Sequence, residues 1–171
     1  MLLRPATLDD AAAVRAIYNV EVETSTATFD LVTRSLDDQR AWLAARSGAF
    51  AAIVAVDGDA VIGFASLSPY KERAAYRTTV EDSVYVDRGH HGRGVGGALL
   101  GYVVDVAAAS GFHAVMARIE AGGTASRALH AACGFELVGV EREVGRKFNR
   151  WLDVAVMQRL LQTGPKPGTA A

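Results

Sequence analysis

Cysteine is nearly missing from this chain of 171 residues, in which Cys133 stands alone. A single thiol excludes an internal disulfide and a metal cluster built from cysteines. His90, His91 and His113 have no ligand spacing with one another or with carboxylates, so no metal site is predicted. A surplus of charge is missing as well, because the formal net charge is -1. Without a basic field we expect no binding of nucleic acid or of a membrane surface, and any bound anion needs locally placed positive charge.

Long apolar runs and linkers are also missing. No stretch approaches the ~18 consecutive apolar residues that span a bilayer, and residues 1–5 lack the basic-then-apolar pattern of a secretion signal. There is no internal repeat, and no segment rich in Pro, Gly and Ser interrupts the chain before its end. We therefore expect a cytoplasmic protein with one domain over residues 1–162 and a flexible tail over residues 163–171.

The pattern of apolar residues predicts a mixed α/β domain. Thr7 with Asp10 and Ser35 with Asp38 are capping boxes that predict the starts of two helices. Asp57 and Gly58 predict a tight turn between two apolar strands, over residues 50–56 and 60–67. Further strands are expected over residues 2–5, 78–86, 113–119, 135–144 and 151–160, and further helices over residues 95–109 and from Thr124, as the cap, to about Cys133. The expected class is α/β (α+β) with a mostly antiparallel sheet flanked by helices, and not a doubly wound fold.

The most informative segment is the glycine-rich turn over residues 91–97, between a predicted strand and a long helix. Glycines let successive backbone N–H groups point into one concavity, and the helix that follows adds its unpaired amides and its positive dipole end. Arg88 and Arg93 lie near enough to add charge, so the turn suits a pyrophosphate. The alternative is that the glycines only permit a close strand-to-helix turn. A P-loop and a dinucleotide fingerprint both fit poorly, because no Gly-Lys-Ser/Thr is present and the motif lies past mid-chain.

A strand that ends in Val84, Tyr85 and Val86, followed by His91-x-x-Gly94-x-Gly96 and a long helix, resembles the coenzyme A motif of the GNAT N-acetyltransferase superfamily. The resemblance extends over roughly residues 2–161. His91 departs from the Arg or Gln that is usual at the first motif position, which leaves the main-chain cradle as the expected phosphate contact.

Five further segments are similar to phosphinothricin and methionine sulfoximine acetyltransferases, a subgroup of this superfamily. They are residues 18–19, 24–29, 69–76, 80–86 and 147–153. The resemblance implies the GNAT acyl-CoA N-acyltransferase fold and an enzyme that uses acetyl-CoA. It implies transfer of the acetyl group to the primary amine of a small amino-acid-like substrate, by direct attack in a ternary complex. It also implies a homodimer, which the apolar C-terminal strand favours.

Two residues are candidates for catalysis, Glu81 and His130. The resemblance places Glu81 beside the thioester, where it would act as base through an ordered water or with a pKa raised by burial. A solvated strand glutamate is the alternative. His130 stands where many members have a tyrosine near the sulfur, and it has the pKa range for acid or base work, although a helix histidine is more often structural. Cys133 is expected to pack in the core rather than to act as a nucleophile.

The resemblance also implies the residues that hold the cofactor. A backbone N–H on the strand at residues 84–86 would stabilise the oxyanion, and this segment would pair with the pantetheine arm. Thr124 and Ser126 lie where members commonly contact the cofactor, and Gly123 replaces a common asparagine. The expected cofactor-binding set is Val84, Tyr85, Val86, His91, Gly92, Arg93, Gly94, Val95, Gly96, Gly97, Gly123 and Ser126.

The acceptor is expected to lie near the segment just upstream of Glu81. An arginine fork at Arg73 suits an α-carboxylate, although Arg73 as a surface charge and Tyr76 as a core residue are the alternative. Phe29 would form an apolar wall and Lys147 would meet a second acidic group, whereas Trp151 is expected in the core or at a subunit interface. The expected substrate-binding set is Phe29, Arg73, Ala74, Ala75, Tyr76, Glu81 and Lys147.

Two other functions stay open on the sequence alone. One is an enzyme of the same fold that acetylates a protein N-terminus or a polyamine, which would leave Arg73 without a carboxylate to bind. The other is a non-catalytic module that binds acyl-CoA, in which Glu81 and His130 would lie far from the thioester.

Overall fold

The computed structural model describes residues 1–161, so the tail predicted over residues 163–171 lies outside the described part. Seven strands form one sheet in the order β1-β2-β3-β4-β5-β7-β6. The strands are β1 (Leu2–Pro5), β2 (Ile53–Asp57), β3 (Ala60–Pro69), β4 (Thr79–Val86), β5 (Ala114–Glu120), β6 (Glu136–Lys147) and β7 (Arg150–Leu160). The helices are α1 (Ala11–Thr24), α2 (Leu36–Ala44), α3 (Val95–Ala109) and α4 (Thr124–Ala132). The predicted mixed, mostly antiparallel sheet flanked by helices is confirmed.

One pair of neighbouring strands in the middle of the sheet differs from the other pairs in direction and length. Neighbouring strands are antiparallel except β4 and β5, which are parallel. The parallel pair is short: residues 79–81 pair with residues 114–116, and no pairing follows. Beyond that point β4 continues against β3 as far as Val86, while β5 continues against β7 as far as Glu120. The sheet is therefore split between β4 and β5 from Glu81 onward, although it is continuous on either side.

The two faces of the sheet carry different helices. Side chains alternate along a strand, so neighbours on β4 point to opposite faces. Val80, Val84 and Val86 pack into an apolar cluster that includes the buried side of α3 and residues of α4. Tyr85 packs instead against a second cluster, formed by Phe64 and the buried side of α1. We call these the α3/α4 face and the α1/α2 face.

Local signals account for most helix and turn boundaries. Both capping boxes are confirmed: Thr7 donates its N–H to Asp10 at 2.7 Å, and Asp38 donates its N–H to Ser35 Oγ at 3.0 Å. The Thr7 box opens a short 3-10 turn that leads directly into α1. The Asp57–Gly58 hairpin is also confirmed, but β2 begins at Ile53 rather than near residue 50, because residues 48–50 form a 3-10 turn.

The start of α4 differs from the prediction. Thr124 is the first helical residue and Gly123 is the N-cap, with no side chain capping the helix. The chain turns so tightly here that a Cβ at position 123 would lie 3.0 Å from the Glu120 carbonyl oxygen, which explains the glycine. Cys133 is half-buried and packs against the apolar cluster of the α3/α4 face, as predicted. Within residues 1–161, no helix has both the length and the apolar character needed to cross a membrane.

Candidate active site

The glycine-rich turn leads from the end of β4 into α3. Gly92 and Gly94 have φ angles of +73° and +79°, the left-handed region that glycine adopts without strain. The backbone N–H groups of residues 92–97 donate to no acceptor within the described part of the chain. A Cβ added at Gly92 or Gly94 would meet nothing within 4 Å, so the turn faces open space. A row of free amides at the start of a helix of 15 residues fits a diphosphate.

Side chains fix this turn from within. Asp87 Oδ1 accepts from the Gly89 N–H at 3.0 Å and lies 2.9 Å from His90 Nδ1. His91 points back toward the strand, where its Nε2 donates to the Val86 carbonyl oxygen at 3.0 Å. The side chain of His91 therefore stabilises the turn, which agrees with a cradle made of main-chain amides.

The two arginines near the turn, Arg88 and Arg93, differ in how far their guanidinium groups are engaged by other side chains. Arg88 binds Glu21 Oε1 at 2.8 Å and Thr24 Oγ1 at 2.8 Å, so it ties the turn to α1. Because its guanidinium is already engaged on one side, a contribution of Arg88 to a phosphate site stays a prediction. Arg93 keeps an exposed guanidinium, 3.8 Å from Asp57 Oδ2, and is the better placed of the two to meet a phosphate.

The split in the sheet leaves one edge of β4 free. At residues 84–86 the backbone edge that faces β5 has no ladder partner. The side chains of Val84 and Val86 pack on the α3/α4 face, and Tyr85 packs on the other. Main-chain groups of this segment are therefore the ones open to a ligand in the split, as the pantetheine pairing and the oxyanion donor require.

Glu81 is the last residue of β4 paired with β5, and its side chain belongs to the α1/α2 face. Its carboxylate has no hydrogen-bond partner among the described residues. Burial raises the pKa of Glu81, the charge of Arg118 opposes this shift, and Asp82 and Glu141 reinforce it. Arg118 is in turn bound by Glu141, at 2.6 Å between its Nη2 and Oε2. A carboxyl group with a raised pKa and free oxygens at the end of the split has the properties of a general base.

His130 lies on the opposite face, buried against β4. Its Nδ1 is 2.7 Å from the Ser126 carbonyl oxygen, and its Nε2 is 3.0 Å from Asp82 Oδ2. A carbonyl and a carboxylate are both acceptors, so this arrangement favours the doubly protonated form of His130. Burial alone would lower the pKa of His130, but the hydrogen bond and charge of Asp82 outweigh it and raise that pKa.

Asp82 is the site residue that sequence reasoning missed. It is buried, and its Oδ1 has no partner within residues 1–161. Side chains alternate along a strand, so a Glu81 on the α1/α2 face implies an Asp82 on the α3/α4 face. The sequence therefore contained the information needed to predict which face Asp82 occupies. No sequence pattern predicts that Asp82 binds His130, which lies 48 residues away along the chain.

The loop between α1 and α2 (residues 25–35, the α1–α2 loop) lies against the α1/α2 face of the sheet. Thr28 Oγ1 and Asp30 Oδ2 are 2.8 Å and 2.6 Å from the Tyr18 hydroxyl. Thr26 donates to Glu120 Oε2 at 3.0 Å, at the carboxyl end of β5. The loop therefore borders the split on the α1/α2 face, and it presents Phe29 with a partly exposed ring.

Lys147 has a different position from the expected one. Its side chain is buried, and its Nζ donates to the carbonyl oxygens of Thr28 at 2.8 Å and Glu21 at 3.4 Å. Burial lowers the pKa of Lys147. The ammonium group holds the α1–α2 loop against β6, so the expectation of a direct contact with substrate is wrong.

The segment upstream of Glu81 is exposed. Arg73 caps a short 3-10 turn formed by Ala74, Ala75 and Tyr76, between β3 and β4. The ring of Tyr76 packs edge-on against Tyr70, with centroids 5.6 Å apart, and remains partly exposed. The alternative of a core Tyr76 is therefore wrong. Trp151 is 60% exposed, which excludes the core alternative for that residue too.

Gly123 and Ser126 lie at the start of α4, beyond the carboxyl end of β5. Ser126 Oγ is 3.5 Å from His130 Nδ1, and the backbone carbonyl of Ser126 accepts from the same nitrogen. Both residues face the α3/α4 side of the split, together with the glycine-rich turn. Their contact with a cofactor stays a prediction.

The sequence profile of the acetyltransferase (GNAT) family matches residues 14–135. The chain belongs to this family. It is 39% identical over 163 residues to phosphinothricin N-acetyltransferase of Streptomyces coelicolor, covering 93% of this chain and 95% of that protein. It is 39% identical over 159 residues to the L-methionine sulfoximine/L-methionine sulfone acetyltransferase of Pseudomonas aeruginosa, covering 91% and 92%. A phosphinothricin acetyltransferase from Sinorhizobium meliloti, solved with acetyl-CoA, matches with a TM-score of 0.90 and 38% identity over 98% of this chain and 94% of that one.

These similarities confirm the predicted superfamily and class of activity. The protein is an acetyl-CoA-dependent N-acetyltransferase of the GNAT fold. The free amides of residues 92–97 would hold the diphosphate of acetyl-CoA, and the free edge of β4 would hold its pantetheine arm. As in GNAT enzymes generally, acetyl-CoA is a co-substrate. No group of metal-ligating side chains is found within residues 1–161.

The buried pair of His130 and Asp82 makes stability depend on pH. The folded-state pKa of His130 is raised above its unfolded value of ~6.5, so its contribution is fully present below about pH 6.5 and is lost as pH rises through the folded-state pKa. We expect Asp82→Asn to reduce the free energy of unfolding by about 3 kcal/mol at pH 6. The variant should also flatten the decline in stability that the wild type shows as the pH rises above about 6.5.

Urea unfolding at a series of pH values measures both effects. His130→Gln is the matched variant, because it removes the same titration from the other side of the pair. A wild-type slope that survives in both variants would show that another group causes it.

Proposed function

We propose that this N-acetyltransferase acts on small amino-acid-like primary amines of the phosphinothricin, methionine sulfoximine and methionine sulfone type. The observation that carries the proposal is Glu81, a half-buried carboxylate with free oxygens at the end of the split between β4 and β5. It lies on the α1/α2 face, whereas the glycine-rich turn opens toward α3. An amine that approaches from the α1/α2 face and a thioester held in the split would meet beside Glu81. The names of the relatives support this class of acceptor.

The residues of the chain suit a direct attack of the amine. Acetyl-CoA supplies an activated acetyl thioester. Glu81 takes the proton of the ammonium group, directly or through a water, and the free amine nitrogen forms a bond to the carbonyl carbon. A backbone N–H at residues 84–86 stabilises the negative charge that develops on the carbonyl oxygen. The carbon–sulfur bond then breaks, the nitrogen loses its extra proton to leave a neutral amide, and the thiolate takes up a proton and leaves as coenzyme A thiol.

The geometry favours Glu81 over His130 as the base. Both ring nitrogens of His130 are already engaged, Nδ1 with the Ser126 carbonyl and Nε2 with Asp82, so neither is free to take the proton of the amine. A protonated His130 would place a positive charge on the α3/α4 face beside the split, where a departing thiolate needs one. We assign it this electrostatic role.

The acceptor is held on the α1/α2 face. Phe29 on the α1–α2 loop supplies an apolar wall for the side chain of the substrate. Arg73 lies in the exposed segment before β4 and has a planar fork for an α-carboxylate. A carboxylate-binding arginine would select amino acids over polyamines and other simple amines.

The test of Glu81 is the conservative substitution Glu81→Gln. We expect turnover to fall well over tenfold while the Kd for acetyl-CoA changes less than about twofold, because only the proton acceptor is lost. The raised pKa of Glu81 also predicts that kcat/KM of the wild type falls on the acid side at a pH above the ordinary glutamate value of ~4.3. Glu136→Gln, a change of an exposed glutamate on β6, is the control. Equal activity of the two variants would remove Glu81 from the mechanism.

The acceptor class is tested by a panel of amines, with release of free coenzyme A thiol as the readout. We expect turnover with methionine sulfoximine, methionine sulfone and phosphinothricin, and at least tenfold lower kcat/KM with their decarboxylated analogues, which cannot engage Arg73. Turnover confined to a polyamine or a peptide N-terminus would support the alternative acceptor class. Tight binding of acetyl-CoA in calorimetry without turnover of any amine would support a binding module.

We further propose that the enzyme is a cytoplasmic homodimer that assembles through β6. This strand is at one edge of the sheet and exposes the apolar side chains Leu137, Val138 and Val140. Trp151 on β7 and Val144 add to the same exposed apolar surface. An exposed apolar edge strand is an association surface. In a two-fold symmetric dimer, β6 of one subunit would pack against β6 of the other and cover this surface.

The dimer is tested by sedimentation of the wild type and of Val138→Asp. We expect a mass of twice 18.1 kDa for the wild type and a shift to monomer in the variant, because a charge would be buried in the interface. Leu2→Asp is the control, since Leu2 is 62% exposed on the opposite edge of the sheet. A monomeric wild type would exclude the dimer.

A further inference from the structure

Two positions on β6 hold neighbouring residues of the α1–α2 loop. Lys147 donates to the carbonyl oxygen of Thr28 at 2.8 Å. Gly145, two residues earlier and therefore on the same face of β6, lies beneath the ring of the next loop residue, Phe29. The backbone of the loop is thus fixed by the lysine, and the ring that follows lies on a position without a side chain.

The space next to Gly145 is filled by the Phe29 ring and has no room for a side chain at position 145. A Cβ built at position 145 would lie 2.5 Å from Phe29 Cδ2 and 3.1 Å from Cζ. Carbon atoms pack at about 3.5–4.0 Å, so a methyl group and this ring cannot share the space. Gly145 is not in the left-handed region of φ, so its backbone conformation does not require glycine. The close approach of Phe29 does.

A bulge in β6 brings Gly145 to this place. Glu141 pairs with Val154 and Gly145 pairs with Leu152, so three residues of β6 lie opposite one residue of β7. Glu143 within the bulge has a φ of +52°, and its N–H is bound by Asp153 Oδ1 at 2.8 Å. Bulges re-aim a strand, and this one presents Gly145 to the α1–α2 loop.

We propose that Gly145 is a positioning residue for acceptor selection, because it fixes the ring of Phe29 as the apolar wall of the acceptor site. One face of the ring lies on the glycine, while the side chain as a whole stays 38% exposed and open to a ligand. A side chain at position 145 pushes the ring toward the acceptor, and Lys147 prevents the loop backbone from moving away to compensate. This inference rests on the proposed function, in which Phe29 contacts the acceptor.

The first test is Gly145→Ala. We expect the acceptor KM to rise about tenfold, with kcat changed less than about threefold and the Kd for acetyl-CoA unchanged, since the ring touches neither the base nor the cofactor turn. Gly101→Ala is the control, because it adds the same methyl group in α3 where nothing lies within 4 Å. An acceptor KM equal to that of the wild type in both variants overturns the inference.

A double-mutant cycle with Phe29→Ala separates positioning from a general loss of structure. If Gly145 acts through the ring, Gly145→Ala has no further effect on the acceptor KM once Phe29 is Ala. Should Gly145→Ala alone fail to fold, the double variant must fold, since the collision is gone. Additive effects on KM, or a double variant that stays unfolded, overturn the inference.

The ring itself is observed without turnover by fluorine NMR of protein labelled with 4-fluorophenylalanine. The chain has six phenylalanines, and Phe29→Leu identifies the signal of Phe29. We expect that signal to shift in Gly145→Ala and to keep its position in Gly101→Ala. An unmoved signal overturns this inference and leaves the proposed function standing, whereas a wild type that acetylates no amine overturns the proposed function and the role in acceptor selection with it.

Discussion

The site depends on β4 and β5 ceasing to pair after Glu81. Main-chain donors and acceptors that lose their ladder must find other partners. On the β5 side of residues 84–86 no strand supplies them, and only the Val86 carbonyl has a side-chain partner, His91, within the described chain. A water layer would satisfy them, and so would an extended ligand with its own amides. The same strand ends in the glycine-rich turn, whose amides are also free. One strand thus provides backbone groups without a ladder partner from the proposed base to the glycine-rich turn, which suits the proposed main-chain binding of acetyl-CoA.

Strand alternation separates the two halves of the reaction. Glu81 and Asp82 are neighbours in sequence, but they point to opposite faces and have opposite surroundings. Glu81 has free oxygens, and its pKa is raised by burial, so it can take a proton. Asp82 Oδ2 lies 3.0 Å from His130 Nε2, and that pair ties β4 to α4 on the side of the cofactor turn. Because the two carboxylates do not share a pocket, one can be tuned for proton transfer while the other serves the packing of the fold.

What the sequence predicted, and what it did not, follows from the range of each interaction. The capping boxes, the Asp57–Gly58 hairpin and the glycine-rich turn are local, and the residues that cause them lie within a few positions of one another. The assignment of Lys147 failed because its partner, the carbonyl of Thr28, lies 119 residues away and leaves no pattern in the chain. Asp82 was missed for the same reason. Strand alternation predicts the face of the sheet on which Asp82 lies, but only the tertiary fold brings it next to His130.

The role of Lys147 links assembly to selectivity. A buried ammonium bonded to carbonyl oxygens is costly, and its lowered pKa is the sign of that cost, yet it fixes the α1–α2 loop to β6. The same strand carries Gly145 beneath Phe29 and the exposed apolar residues of the proposed dimer surface. An edge strand held on one side only is free to flex, and flexing would move the wall of the acceptor site. A second subunit packed against β6 would restrict that motion. Dimerisation would then contribute to substrate selection without placing any residue of the partner in the site.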